Sequence, residues 1–123
     1  MRHDIKIQMR LIPSPRPRVT RRGTYMPQKY VDQKRLIQSK LRGLKAFSIV
    51  PLKIELFIGL KPSKSAKNNK YPMPRGDVDN FSKSILDAMN GILFEDDTQI
   101  EELIVKKRYA TDNVVFIKIE EIV

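Results

Sequence analysis

Four aspartates in the second half of the chain stand in two pairs whose composition and spacing suit a metal-binding site. Asp77 and Asp79 lie two residues apart where a helix is predicted to begin, and Asp96 and Asp97 lie in the turn after that helix. Carboxylate oxygens are the ligands that Mg²⁺ prefers, and a few of them with several waters complete an octahedral site. Such a metal lowers the pKa of a bound water and polarises a phosphodiester, so the chemistry we expect is hydrolysis of a nucleic-acid backbone.

The spacing of the four aspartates leaves two interpretations open. A helix of about 12 residues is ~18 Å long, so its two ends share one metal only if residues 91–93 turn the chain back along it. Alternatively, Asp77 or Asp79 caps the helix and residues 96–97 form a solvated acidic turn, an arrangement that needs no metal.

Lys83 lies one turn after Asp79, on the polar side of the same helix with Asn80 and Asp87. From there it can reach a scissile phosphate or a carboxylate. Its simplest role is an ion pair with Asp79, worth roughly a few tenths of a kcal/mol. For Asp87, one further turn along, we favour a structural or lysine-orienting role.

The charge of the protein is distributed unevenly along the chain. The net charge is +10, yet residues 1–75 hold 19 of the 24 basic residues and three of the 14 acids. Residues 76–123 hold five basic residues and eleven acids. A polyanionic partner is therefore predicted, with binding and chemistry carried by different parts of the chain, although a basic half that only solvates a surface is the simpler alternative.

Two segments rich in proline and basic residues interrupt the hydrophobic pattern. Prolines at 13, 15 and 17 and Gly23 exclude regular structure from residues 12–26, which we interpret as a basic arm. Residues 61–76 contain three prolines and no hydrophobic period, and form a second basic loop or a solvated linker. The residues that we expect to contact nucleic acid are Arg16, Arg18, Arg21, Arg22, Lys64, Lys67, Lys70 and Arg75.

Hydrophobic periodicity predicts one α+β domain over residues 1–123, with elements in the order β-α-β-α-β-β. Strands are predicted at 5–11, 52–60, 103–110 and 114–119, and helices at 28–42 and 79–90. Gly91 is predicted to take the left-handed position that ends the second helix. The last two strands are predicted to pair as a hairpin around residues 111–113.

The composition excludes several classes of chemistry. The chain contains no cysteine and one histidine, His3, which rules out disulfides, cysteine-based zinc sites, thiol nucleophiles and a catalytic triad built on histidine. No apolar run approaches the ~20 residues of a membrane span, and the N-terminus lacks a signal-peptide core. We therefore expect a soluble, cytoplasmic protein.

Residues 75–100 resemble the RusA family of Holliday junction resolvases. They combine the pattern D-x-D-N-x-x-K-x-x-x-D, which begins at Asp77, with a downstream D-D-x-Q-I, which begins at Asp96. The chain length and the order of the elements agree with this family, and the resemblance implies its α+β fold, a mixed sheet packed by two helices. One departure is Gly76, which stands where family members often carry a basic residue; here Arg75 lies one position earlier.

The resemblance also implies a function and a set of residues. It implies a homodimeric, Mg²⁺-dependent endonuclease of phage or prophage type, with Mn²⁺ able to substitute and no small-molecule cofactor. Such an enzyme resolves four-way DNA junctions by paired symmetric nicks in DNA recombination and repair. By carry-over, Asp77, Asp79 and Asp97 are the metal-binding catalytic carboxylates, Lys83 is the catalytic lysine and Asp96 is a helper. The implied mechanism is in-line attack of a metal-activated water on phosphorus, leaving a 5′-phosphate and a 3′-hydroxyl.

Two questions stay open at the level of sequence. A non-catalytic module that binds DNA or RNA is the alternative function, with the acidic turn only shaping the surface. Two symmetric cuts require two active sites, which a two-fold dimer supplies. Either the first helix or the edge of the predicted hairpin is the candidate dimer interface.

Overall fold

The computed structural model of the chain describes residues 1–15, 18–21, 23–63 and 72–123, with the backbone alone for residues 18–20, 24 and 25. A four-stranded sheet and two helices form its main body, and a two-stranded ribbon precedes the first helix. The elements are β1 (Arg2–Ile7), β2 (Arg18–Thr20), β3 (Gly23–Tyr25), α1 (Gln28–Leu41), β4 (Leu52–Leu60), α2 (Val78–Met89), a 3₁₀ turn (Asp97–Gln99), β5 (Ile100–Tyr109) and β6 (Val114–Glu121).

The sheet is mixed, with the strand order β1-β6-β4-β5. β4 pairs antiparallel with β6 on one side and parallel with β5 on the other, and β1 pairs antiparallel with β6. The α+β class and the β-α-β-α-β-β order are confirmed. The predicted terminal hairpin is wrong, because β4 lies between β5 and β6.

Burial explains why β4 takes the place that a hairpin would have closed. Leu52, Ile54, Leu56, Ile58 and Leu60 alternate along β4, and each is at most 3% exposed. A strand with so apolar a face gains most from a central position with neighbours on both sides. The link from β5 to β6 therefore passes the end of β4.

One core joins the sheet to both helices. Ile54 and Ile58 of β4 and Ile117 of β6 contribute to it with Ile37 of α1 and Ile85 of α2, all at most 1% exposed. No helix in the described ranges is long and apolar enough to cross a membrane.

The direction of α2 decides where the acidic residues lie. α2 connects two parallel strands, β4 and β5, so it runs back along the sheet. It begins at the end of the sheet where β4 and β5 finish, and it ends where they start. Phe47, just before β4, donates its backbone N–H to the carbonyl of Leu93 beyond α2 at 2.8 Å, which fixes this second end.

The basic arm contains regular structure that proline counting did not predict. β2 and β3 pair antiparallel, with Arg18 opposite Tyr25 and Thr20 opposite Gly23. The turn is possible because Gly23 has φ +123, which residues with a Cβ rarely adopt. In the loop predicted at 61–76, residues 64–71 lie outside the described residues. Gly91 has φ +79, as predicted for the end of α2.

Candidate metal centre and nucleic-acid interface

Asp77 and Asp79 stand at the start of α2 with their carboxylates exposed. Asp77 is the N-cap residue, with extended backbone at φ −88 and ψ 139, and its carbonyl accepts the N–H of Phe81 at 3.1 Å. Its side chain makes no capping hydrogen bond. The cap interpretation is thus right for the backbone of Asp77 and wrong for its carboxylate, which the helix leaves unused beside its positive end.

Lys107 of β5 holds the segment that leads into Asp77. Its Nζ donates hydrogen bonds to the carbonyls of Pro74, at 2.8 Å, and Gly76. Gly76 has φ +104, and a Cβ there would collide with the ring of Phe81. Sequence reasoning missed Lys107, although a lysine that follows Leu103 and Val105 on the core-facing side of a strand was a signal for it.

The start of the basic arm is attached to the first turns of α2. The backbone N–H of Ser14 donates to the carbonyl of Asn80 at 2.9 Å, and Ser84 Oγ donates to the carbonyl of Ile12 at 2.9 Å. The buried side chain of Gln33 also holds Ile12, accepting its N–H at 2.8 Å and donating to its carbonyl at 3.1 Å. The arm therefore leaves the body of the protein beside the two carboxylates, a placement that the sequence did not show.

Lys83 is exposed on the same helix, four residues after Asp79. Among the ion pairs of the described residues, none joins Lys83 to Asp79, so the simplest role proposed for this lysine is not seen. Asp87, one turn on, accepts a hydrogen bond from the hydroxyl of Tyr30 at 3.0 Å. Burial raises the pKa of Tyr30, and the contact joins α1 to α2, which is the structural role favoured for Asp87.

The second acidic pair lies in the turn that leads into β5. Asp96 caps the 3₁₀ turn, accepting from the backbone N–H and the hydroxyl of Thr98 at 3.3 and 2.6 Å. The Thr98 hydroxyl is the main cause that lowers the pKa of Asp96. Asp97 beside it is exposed. Asp96 therefore has a structural role in the described chain, whereas the carboxylate of Asp97 points to solvent.

Gln99 explains the glutamine of the D-D-x-Q pattern. Its side chain is buried, donates to the carbonyls of Ser48 and Val50 at 2.9 and 3.1 Å, and accepts the N–H of Glu95 at 3.0 Å. These contacts tie the turn to the segment before β4. Asp97 is thereby fixed at the end of the sheet where β4 and β5 start.

The two acidic pairs lie at opposite ends of the domain. Asp77 follows Gly76, which Lys107 holds near the end of β5, whereas Asp97 lies three residues before Ile100, at its start. Seven residues of strand span ~23 Å, and α2 between the pairs is ~18 Å long. The chain returns along α2 as β5, not through residues 91–93. Within the described ranges, no three acidic or histidine side chains come together to hold a metal.

The acidic residues therefore fit a metal only in part. Asp77 and Asp79 offer a pair of hard oxygen donors, as Mg²⁺ requires. The same chain does not bring Asp97 to them. The role predicted for Asp97 stays a prediction.

Few of the predicted DNA contacts lie where the structure describes side chains. Arg16, Arg22, Lys64, Lys67 and Lys70 are outside the described residues, and Arg18 is described by its backbone alone. Arg21, in the turn between β2 and β3, and Arg75, two residues before Asp77, are exposed. Arg75 thus adds positive charge close to the first carboxylate.

A two-layer α+β domain with free carboxylates at a helix start and a basic arm beside them has the features of a nucleic-acid-processing enzyme. Residues 8–120 match the family described as Endodeoxyribonuclease RusA, and the chain belongs to this family. The resemblance seen in residues 75–100 is thereby confirmed.

A relative is also found among characterised genomes. The chain is 36% identical over 62 residues to the "Uncharacterized protein YqaN" of Bacillus subtilis (strain 168). The match covers 50% of this chain and 44% of that protein, so the chain spans less than half of the relative's length. That name states no activity.

Proposed function

We propose that this chain is a Mg²⁺-dependent DNA endonuclease that resolves four-way junctions by paired symmetric nicks. Membership of the RusA endodeoxyribonuclease family supports DNA as the substrate and phosphodiester cleavage as the reaction. The observation that carries the proposal is the carboxylate of Asp77, which occupies the cap of α2 without capping it. A side chain held at a helix start but unused by the helix is free for a ligand.

The proposed roles divide between ligands and positioning groups. Asp77, Asp79 and Asp97 are the metal ligands, with Mg²⁺ or Mn²⁺ supplying an activated water and neutralising charge on the phosphate. Lys83 is placed to donate to a phosphate oxygen near Asp79. Lys107 positions Asp77 through the backbone of Gly76.

The basic arm and loop are proposed to bind the junction through its phosphates. Arginine and lysine neutralise the backbone without reading bases, which suits a substrate recognised by its branched shape. The attachment of Ile12 and Ser14 to α2 supports this role, because it places the base of the arm beside the carboxylates. Two symmetric nicks further call for a homodimer.

One observation favours the alternative, a non-catalytic module that binds DNA or RNA. Asp97 and the pair Asp77 and Asp79 lie at opposite ends of the described domain, and a binding module needs no such cluster.

A cleavage experiment separates the two functions. The purified protein is incubated with an end-labelled four-way junction and with a linear duplex of the same arm sequence, with Mg²⁺, with Mn²⁺ and with EDTA. The expected result is paired nicks in the junction with either metal, none with EDTA and none in the duplex. Retention of the junction in a gel shift with no cleavage under any of these conditions would leave the binding module as the function.

A further inference from the structure

The strand β5 lies at the edge of the sheet and presents an unpaired side. β4 pairs with one side of β5, and no described strand covers the other. Leu103 and Ile104, in the middle of β5, are 42% and 40% exposed. A long edge strand with exposed apolar residues readily pairs with another chain, so proteins usually cover or charge it.

The sequence of β5 is antisymmetric in charge about Ile104. Two acids, Glu101 and Glu102, precede the apolar residues 103–105, and two bases, Lys106 and Lys107, follow them. A strand with this pattern repels a parallel copy of itself at neither end but places no opposite charges face to face. In an antiparallel copy, each acid meets a base.

The faces of β5 agree with such a pairing. Its register with β4 sets Leu103, Val105 and Lys107 beside the core-facing residues of β4, and Glu102, Ile104 and Lys106 beside the outward-facing ones. An antiparallel pair related by a two-fold axis at Ile104 keeps each residue opposite one on the same face. Glu101 then faces the partner's Lys107, Glu102 faces the partner's Lys106, and Leu103 faces the partner's Val105.

We propose that two copies of this chain join their sheets through antiparallel pairing of β5 about Ile104, and that each copy thereby supplies Asp97 to the other's Asp77 and Asp79. The pairing reverses the direction of the second strand, so the start of one β5 lies beside the end of the other. That end is where Lys107 holds the backbone before Asp77. The separation of the acidic residues within one chain is thus removed by the dimer.

This inference rests on the proposed function for its second part only. The interface follows from the edge, the exposed apolar residues and the charge pattern of β5. The shared acidic site requires in addition that Asp77, Asp79 and Asp97 bind a metal. The experiments below therefore test the two parts with separate readouts.

Charge exchange tests the interface. Glu102→Lys and Lys106→Glu each place two like-charged pairs across the two-fold axis, so each is expected to weaken self-association by at least about tenfold in sedimentation equilibrium. The double variant restores both opposite pairs and is expected to dimerise like the wild type, and a mixture of the two single variants is expected to form heterodimers. Lys45→Glu, at an exposed position outside β5, is the control. Equal association of all variants, or a wild-type chain that stays monomeric, would overturn the interface.

A cross-link tests the register. The chain has no cysteine, so a single introduced thiol reports one contact. Residues directly opposite across antiparallel strands have Cα atoms about 5 Å apart, within reach of a disulfide. Ile104→Cys is expected to form a disulfide-linked dimer under mild oxidation, whereas the equally exposed Leu103→Cys, whose two copies lie ~7–8 Å apart, is expected to form much less. Faster cross-linking at 103 than at 104 would overturn the register.

Metal affinity tests the shared site without relying on cleavage. Mn²⁺ binding is measured by electron paramagnetic resonance for the wild type, for Glu102→Lys and for the double variant Glu102→Lys and Lys106→Glu. Loss of affinity in the single variant and its recovery in the double variant would support Asp97 acting across the interface. Unchanged Mn²⁺ affinity in a monomeric Glu102→Lys would overturn it. If the wild type dimerises as described but binds no Mn²⁺, the interface stands, whereas the shared site and the metal of the proposed function both fail.

Discussion

The Nζ of Lys107 donates a hydrogen bond of 2.8 Å to the carbonyl oxygen of Pro74 and a second one to Gly76, the residue directly before Asp77. A side chain in the edge strand thus fixes the backbone from which the first proposed ligand extends. Catalytic groups lose efficiency when displaced by small distances, so this contact links the sheet to the site.

Replacing Lys107 by methionine removes both hydrogen bonds and keeps most of the apolar stem. We expect the rate of junction cleavage to fall by about tenfold or more, since a misplaced group acts poorly. The free energy of unfolding should fall by roughly 2 kcal/mol, because two carbonyls lose a charged donor. Single-turnover cleavage and urea unfolding measure the two effects, with Lys118→Met on β6 as the control. An unchanged cleavage rate would remove Lys107 from the site.

The contact between Tyr30 and Asp87 is expected to stabilise the packing of α1 on α2. Tyr30→Phe removes the hydroxyl that donates to Asp87 at 3.0 Å, and should lower the free energy of unfolding by about 1 kcal/mol. Tyr109→Phe, on the half-buried Tyr109 at the end of β5, is the matched control and should have a smaller effect. Equal urea midpoints for the wild type and Tyr30→Phe would show that the contact adds nothing.

The cap of the 3₁₀ turn should make stability depend on acid pH. Hydrogen bonds from Thr98 lower the pKa of Asp96 in the folded protein. The contribution of this carboxylate is therefore fully present above its ordinary pKa of about 3.9 and is lost as the pH falls through the lowered value. Asp96→Asn keeps a capping oxygen that does not titrate. Thermal unfolding between pH 6 and pH 2 should show a smaller acid loss for Asp96→Asn than for the wild type, and equal losses would contradict the assignment.

Neutralising the arm should change the salt dependence of DNA binding. Substituting glutamine for Arg16, Arg18, Arg21 and Arg22 is expected to weaken junction binding and to lower the slope of log affinity against log salt. Each phosphate contact that is lost removes about 0.9 from that slope. Lys53→Gln and Lys118→Gln, outside the arm, are the comparison. If the slope of the arm variant equals that of the wild type, the arm is not in the interface.

Much of the fold could be predicted from local patterns in the sequence. The alternation along residues 52–60 and the spacing of apolar residues in α2 are set by burial within single elements, and both elements lie within one residue of their predicted bounds. The pairing of β5 and β6 could not be predicted in this way. Two strands joined by a short turn favour a hairpin locally, and only the burial of β4 between them decides otherwise.

The candidate site was predictable in its residue types and less so in its geometry. Asp77 and Asp79 lie at the start of a helix, as their spacing indicated. The position of Asp97 depends on the direction in which the chain returns from α2, which no local pattern encodes. Lys107 and Gln99 hold the two acidic segments through contacts with residues more than thirty positions away, so sequence spacing could not reveal them.

The carboxylate of Asp77 is the centre of the account, and one measurement tests it most directly. Single-turnover cleavage of a four-way junction with Mg²⁺ is compared with junction binding for the wild type, Asp77→Asn and Asp112→Asn, a control that removes an exposed carboxylate from the link between β5 and β6. We predict that Asp77→Asn cuts at least about 100-fold more slowly while binding the junction as tightly as the wild type, and that Asp112→Asn behaves as the wild type. Cleavage by Asp77→Asn at the wild-type rate would contradict the proposed site.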